Sequence, residues 1–433
     1  MFSLLKSAFK VKEMRQRIFF TIMMIVIFRI GTQITVPGVN AAAMARLSNS
    51  GNSLFSILNT FGGGALQQYS IFALGVSPYI TSSIIVQLLQ MDIIPVFSEW
   101  SKQGEVGRRK LNRATVYFTI VLGFVQAIGI SLGFNALTGF GLVRNTSAQS
   151  YLMIALVLTA GTMLVMWMGE QITQKGVGNG TSLIILSGIV AQLPGELYSL
   201  FVRYLGNADV SLKRRLVVVA GGVALLLLMF AFVILMEQAQ RKLHVQYSKR
   251  ANGASKMAYL PLKINSAGVV PVIFASSFIL IPSTILGFFS TQYADRGWFQ
   301  MLQTAFNYRQ PVGAVIYITL IILFTFFYAF IQVNPEKVAE NLQKQGGYIV
   351  GVRPGKGTEN YLSKMLMRLS VVGSVYLALI AAIPIIASLV IPSFPSRLSL
   401  SGTNILIVIG VILETSKQIQ GKLMKRKYKG FIQ

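Results

Sequence analysis

Residues 54–90 read LFSILNTFGGGALQQYSIFALGVSPYITSSIIVQLLQ. A short apolar piece, Leu54–Leu58, runs into Phe61-Gly62-Gly63-Gly64, and a second apolar stretch, Tyr69–Leu89, carries Pro78, several hydroxyl residues and Gln87. Three adjacent glycines make helix propagation costly, so this stretch reads as a half-helix, a break and then a full span. Broken backbone at membrane depth is tolerated only where protein or a water-filled cavity covers it. Residues 54–90 are therefore a candidate lining for a path through a membrane.

The rest of the chain agrees with a membrane setting. Of 433 residues, 53% are hydrophobic and 12% charged, with a mean hydropathy of +0.62. A soluble chain carries about 25% charged residues. Apolar runs of about 20 residues recur near 18–36, 69–90, 115–136, 151–169, 182–201, 216–236, 265–287, 312–332, 369–391 and 403–414. These predict an all-α polytopic membrane protein with ten transmembrane helices. Lys6, Lys10, Lys12, Arg15 and Arg17 precede the first run without a small-residue cleavage pattern after it, so the run reads as a span and not as a removable leader. With both termini inside, roughly three quarters of the Lys and Arg fall in the loops of one face, which the positive-inside rule assigns to the cytoplasm.

The fifth and tenth runs are short. Leu183–Leu193 follows Gly178-Asn179-Gly180 and meets Pro194-Gly195, and Ile405–Leu413 follows Ser401-Gly402 and meets Glu414. Short, glycine-interrupted segments at corresponding places of two halves predict inverted repeats around a central path. The halves are residues 1–203 and 204–433. Two long cytoplasmic segments stand out. In 237–263, alternation over Lys242–Tyr247 predicts a short β ribbon. In 333–368, a helix starts at Pro335, breaks at Gly346-Gly347 and is followed by a turn at Arg353-Pro354-Gly355. A basic residue on a rigid Pro-Gly turn reads as a docking point.

Chemistry of catalytic type is missing from the pattern. There are 13 Asp and Glu, each in a loop or near the end of a run. His244 is the one histidine and there is no cysteine, which leaves no basis for thiolate, transition-metal or Ser/His/Asp chemistry. The stretch 351–358, GVRPGKGT, fails the phosphate-loop pattern at Val350 and Gly357. No cofactor and no enzyme activity are expected. A secondary transporter of a small solute is the alternative, and the lack of mid-membrane carboxylates counts against it. Arg29, inside the first run just before TQITVPG, reads as a side chain snorkelling to the outer surface.

The segments GGGALQQYSIFALGVSPYITSSIIVQLLQ (62–90), FSEWSKQGEVGRRKLNRAT (97–115), GEQITQKGVGNGTSLII (169–185), YLPLKINSAGVVPVIFASS (259–277), NPEKVAENLQKQGGYIVGVRPGKGTENYL (334–362) and LMKRKYKGF (423–431) resemble the SecY family from first span to tail. The resemblance implies two inverted five-helix halves around a central hourglass pore with a plug half-helix, opening sideways between spans two and three on one side and seven and eight on the other. It implies a pore ring of Val76, Ile80, Thr181, Ile185, Ile273 and Ile407, with Thr181 departing from the aliphatic pattern. It places the plug at about 54–66, with Leu54, Phe55, Leu58, Phe61, Gly62, Gly63 and Gly64. Gln87 and Asn179 match a polar pair near the lateral gate, and Arg353, Lys249 and Arg250 match basic loop tips that meet SecA or the ribosome. The implied function is a protein-conducting channel for secretory precursors with signal peptides, with SecE and SecG as companion subunits. Independently of the resemblance, a narrow aliphatic ring excludes ions by dewetting and offers no hydrogen-bonding group to grip a passing chain.

Overall fold

The computed structural model describes residues 7–44, 55, 58–59, 62–91, 94–138, 141–205, 212–247, 258–293, 295–307, 310–390 and 401–429. Ten helices coincide with the ten expected spans. In the first set these are α1 (Lys12–Gly31), α2 (Ser77–Leu89), α4 (Gly104–Leu137), α5 (Ala148–Lys175) and α6 (Gly180–Leu205); in the second set they are α7 (Leu212–Gln238), α8 (Val270–Tyr293), α10 (Pro311–Gln332), α12 (Lys356–Val390) and α13 (Ser401–Lys429). Among the described residues, shorter helices between them include α3 (Pro95–Lys102), α9 (Gly297–Ala305) and α11 (Pro335–Lys344). Among the described residues four helices are long and apolar enough to cross a membrane on those grounds alone, within α4, α5, α10 and α12.

Each set packs mainly within itself. In the first, α4 lies on α5 and α2, α5 on α6, and α1 on α5 and α6; in the second, α10 lies on α8 and α12, and α13 on α7 and α12. The two sets meet along two seams, one formed by α8 on α4 and α2, the other by α13 on α6. The central apolar cluster draws on both sets, and exposed Phe19, Ile22, Leu156, Leu164, Leu228 and Leu323 face outward from the helices. Outward apolar side chains are what a lipid solvent requires.

One expected span needs correcting. Tyr69–Leu89 is not one helix: α2 begins only at Ser77 and has 13 residues, about 20 Å of rise against a hydrocarbon core of about 30 Å. Tyr69 (φ 44°) and Gly75 (φ 54°) both take left-handed backbone, which no helix accommodates. Pro78 falls in the first turn of α2, where its missing N–H costs nothing. The polar backbone of this break is satisfied by the chain after α1: Val36 N donates to Tyr69 O (3.0 Å) and Ile71 N to Ile34 O (3.0 Å). The fifth and tenth helices, in turn, extend well past their short apolar runs. Helix α6 continues through Pro194 for 26 residues, and α13 runs on through its basic tail for 29.

The two long segments, 237–263 and 333–368, fold together. Strands β1 (Gln240–Tyr247) and β2 (Ala258–Lys263) form the expected ribbon, with Leu243 opposite Leu260. A third strand, β3 (Gly347–Ile349), comes from the other segment and pairs antiparallel with β1, giving the order β2-β1-β3. Leu243, Val245, Leu262, Leu342, Ile349, Leu362, Met365 and Leu369 make a small core beneath this sheet. His244 points out of it and stands edge-on to Tyr259 at 4.8 Å, a ribbon position with no carboxylate partner among the described contacts.

Candidate functional site

The ring residues arrive from four helices. Val76 caps α2 and Ile80 lies one turn in; Ile185 comes from α6, Ile273 from the first turn of α8, and Ile407 from α13. Val76, Ile80, Ile185 and Ile407 are buried in the central apolar cluster, and half-buried Ile273 packs against it. Thr181 stands apart. It is half-buried in the first turn of α6, with its hydroxyl beside Gly169 of α5. The departure from the aliphatic pattern thus faces a helix–helix contact and leaves the cluster itself apolar. Hydroxyls in α2 are turned back on their own helix, Thr81 Oγ1 to Ser77 O (3.2 Å) and Ser82 Oγ to Pro78 O (2.7 Å), which spends their polarity without a cross-helix partner.

Of the plug residues, Leu54 and Phe61 lie outside the described residues. Phe55 is buried edge-on to Phe134 of α4, with ring centroids 6.0 Å apart, and Leu58 is 1% exposed. The turn closes through Gly62 N to Leu58 O (2.8 Å) and Gly64 N to Asn59 O (2.7 Å). Gly63 and Gly64 take φ of 67° and 84°, a region only glycine adopts freely. At Gly63 the backbone is pressed against α6: a Cβ on Gly188 would lie 2.1 Å from Gly63 Cα. Beyond the glycines, the 3-10 turn Ala65–Gln68 and Tyr69 are fixed. Tyr69 is fully buried, and its hydroxyl is 2.7 Å from Ser131 Oγ.

The segment is also gripped by polar groups that sequence reasoning missed. Arg29 Nη1 donates to Gly63 O at 2.7 Å, and Asn59 Nδ2 donates to Gln192 Oε1 at 3.3 Å. Arg29 therefore turns inward instead of snorkelling. Its position inside an apolar run was the only signal available, and that signal names no partner. Nothing in sequence spacing links residues 29, 59, 63 and 192.

The two amides expected to pair do not bond to each other. Gln87 Nε2 donates to Ser83 Oγ one turn back (3.1 Å), and its Oε1 is buried without a partner. Asn179 is exposed and caps α6, its Oδ1 accepting from Ser182 N at 3.3 Å. That is the ordinary role of Asn before a helix. Gln126 Oε1 of α4 and Ser277 Oγ of α8 are likewise buried and unpartnered.

Lys249 and Arg250 lie outside the described residues. Arg353 is exposed on a turn between Gly351 (φ 82°) and Gly355 (φ 81°), its carbonyl accepting from Thr358 Oγ1 at 3.0 Å. The turn thus projects from the small core of the three-stranded sheet. No group of three or more His, Cys, Asp or Glu capable of holding a metal occurs among the described residues.

Comparison with known proteins gives concordant matches. The SecY family model matches residues 70–416. The chain is 52% identical over 433 residues to protein translocase subunit SecY 1 of Lactobacillus kefiranofaciens subsp. kefiranofaciens, covering 100% of both chains. It is 50% identical over 439 residues to protein translocase subunit SecY of Bacillus subtilis strain 168, again with full coverage of both. Among solved structures, one of a protein-conducting channel superposes with a TM-score of 0.65 at 16% identity, covering 94% of this chain and 92% of the other. Sec61 from a canine ribosome-channel complex superposes with a TM-score of 0.61 at 15% identity, with the same coverages. At such identities the two structures speak for the fold.

Proposed function

This chain belongs to the SecY family, and we propose that it forms the protein-conducting channel of a Sec translocon in the bacterial cytoplasmic membrane. It is a channel subunit and not an enzyme. Unfolded secretory proteins pass between the two helix sets, while signal sequences and membrane segments leave sideways through the seam of α8 with α2 and α4. The observation that carries this reading is the convergence of Val76, Ile80, Ile185, Ile273 and Ile407, from four helices of both sets, on one apolar cluster. A glycine-hinged segment packs into the same cluster through Phe55 and Leu58.

Each part has a physical task. The aliphatic ring closes around a chain of any sequence and dewets when empty. Residues 55–64 act as the plug, and the positive-φ glycines are its hinge, because Tyr69 and Ile71 behind them are tied to the chain after α1. Gln87 of α2, Gln126 of α4 and Ser277 of α8, the helices that border the proposed gate, each bury an unpartnered polar atom, which leaves the closed gate weaker than an all-apolar one. Insertion of an apolar signal helix shifts the gate between two packings. With both termini cytoplasmic, Arg353 and the basic tip at Lys249 and Arg250 meet SecA or the ribosome, whose acidic grooves and RNA phosphates suit them. SecE and SecG complete the assembly.

The test exploits a chain without cysteine. Single cysteines at Ile80, Ile185 and Ile407 are expected to crosslink to a stalled secretory precursor. Crosslinks confined to lipid-facing control positions such as Leu156 would remove the pore assignment.

A further inference from the structure

We propose that Arg29, assisted by Gln192, is a positioning residue that latches the plug in its closed place. The inference rests on the reading of residues 55–64 as the plug. Arg29 is the only charged residue within the first apolar run and sits in the last turn of α1, half-buried. A charged side chain so near the membrane surface has water and headgroups within its own length, yet its guanidinium takes the carbonyl oxygen of Gly63 at 2.7 Å. That carbonyl belongs to the middle glycine of the hinge, aimed by a φ of 67° that other residues rarely adopt.

The surroundings make the contact specific to one plug position. Gly63 sits in a slot between Phe28 of α1 and Gly188 of α6; a Cβ at Gly63 would lie 2.8 Å from Phe28 Cζ and 3.6 Å from Gly188 Cα. One helical turn along α6 from Gly188, Gln192 receives the Asn59 amide at 3.3 Å. Both holding residues therefore lie in the first helix set, and both hold the plug from the same side. Phe55 meets Phe134 of α4 by apolar contact alone. When the plug leaves, the Gly63 carbonyl goes with it and the guanidinium is free to turn to the outer surface. The latch thus stabilises the closed state while leaving no stranded charge in the open one, so its grip is the difference between two satisfied states. A hydrogen bond to a charged donor is among the stronger single contacts available, and its loss is expected to change the closed-to-open ratio by about tenfold.

The experiment uses the assembled complex in proteoliposomes and a single reporter, Leu58→Cys, at a position 1% exposed in the closed plug. A membrane-impermeant maleimide added from outside reads how often the plug opens, and planar-bilayer conductance reads the resting leak. Arg29→Gln is expected to speed labelling by about tenfold and to raise the leak. Gln192→Leu should do so to a smaller degree, while Arg29→Lys, which keeps a charged donor, should restore most of the wild-type behaviour. If Arg29→Gln and Gln192→Leu, each in assembled complex, label and leak like the parent, the latch is refuted. Equal effects of Arg29→Gln and Arg29→Lys would refute it too, because any disturbance of α1 packing would then suffice. Removal of residues 55–61 separates the underlying reading. A leak unchanged by that removal refutes the plug itself, whereas a raised leak beside silent Arg29 variants refutes only the latch.

Discussion

Gly188→Ala is the smallest perturbation that reaches the plug without touching it chemically. The added methyl would sit 2.1 Å from Gly63 Cα, where ordinary contact begins at 3.4 Å, so the two backbones must separate by about 1.3 Å or more. Helix α6 is held by α1, α5 and α13, and alanine suits a helix interior better than glycine by roughly 0.8–1.0 kcal/mol. The plug turns on glycines with positive φ, so the plug is the side that yields. Overpacking of this kind costs roughly 1–3 kcal/mol, which corresponds to about a 5- to 150-fold shift toward the displaced plug. Resting conductance of the purified complex in planar bilayers reads the shift directly. The prediction includes a cycle: in a chain lacking residues 55–64, and with them Gly63, Gly188→Ala should add nothing, since its partner is gone. A Gly188→Ala channel as tight as its parent would show that the Gly63–Gly188 contact does not set plug position. An effect that persists without the plug would place the disturbance in α6.

Other consequences are more direct. Replacing Ile80 and Ile273 together by Asn puts amides into the apolar ring and should raise resting ion leak; unchanged conductance would remove both from the constriction. Arg353→Glu inverts the charge at the exposed turn proposed to dock the motor, so the protein should insert and assemble normally yet fail to translocate a secretory precursor in proteoliposomes driven by SecA. Leu243→Ala opens a cavity in the cytoplasmic core, where Leu243 is 6% exposed. It should destabilise that unit by roughly 2–5 kcal/mol and expose residues 333–355 to limited proteolysis, with no change in resting leak.

What could be read from the sequence follows the range of the forces involved. Apolar run length and loop charge are local quantities, so ten spans, the β ribbon at Lys242–Tyr247 and the break at Gly346-Gly347 were all legible. Expecting a helix over Tyr69–Leu89 failed because composition does not reveal a Tyr held at φ 44° by a hydroxyl contact to Ser131 and a bond from Val36. Pro194 misled in the opposite direction: α6 carries on past the proline even though Leu193, Pro194 and Gly195 are exposed. The joining of two cytoplasmic segments through β3 and β1 depends on pairing residues about a hundred positions apart. Motif resemblance located Gln87 and Asn179 but not their bonds, one to Ser83 and the other within its own helix cap.

In the proposed channel, sealing and sensing fall to different chemistries. The ring seals with side chains that have no directional preference, so neither a passing chain nor the plug can be held there by hydrogen bonds. Directional contacts are placed instead on the plug, through Arg29 and Gln192, although Asn59 Oδ1 and Gln192 Nε2 stay orphaned there, while Gln87 of α2, Gln126 of α4 and Ser277 of α8 bury orphan atoms in the helices that border the proposed gate. The first group favours closure. Each member of the second is a buried polar group lacking a bond, at about 1–3 kcal/mol, and so favours parting of the seam. Contributions of like size and opposite sign leave a small net preference for the closed state, and a segment with differential affinity for the parted seam can reverse it. Strengthening one side should therefore be as informative as weakening the other. Gln126→Leu, which replaces an orphan amide by an apolar side chain of similar length, should tighten the seam and raise the signal-sequence hydrophobicity needed for translocation. Translocation of weakly hydrophobic precursors at the parental rate by Gln126→Leu would show that the seam's orphan atoms do not set the threshold.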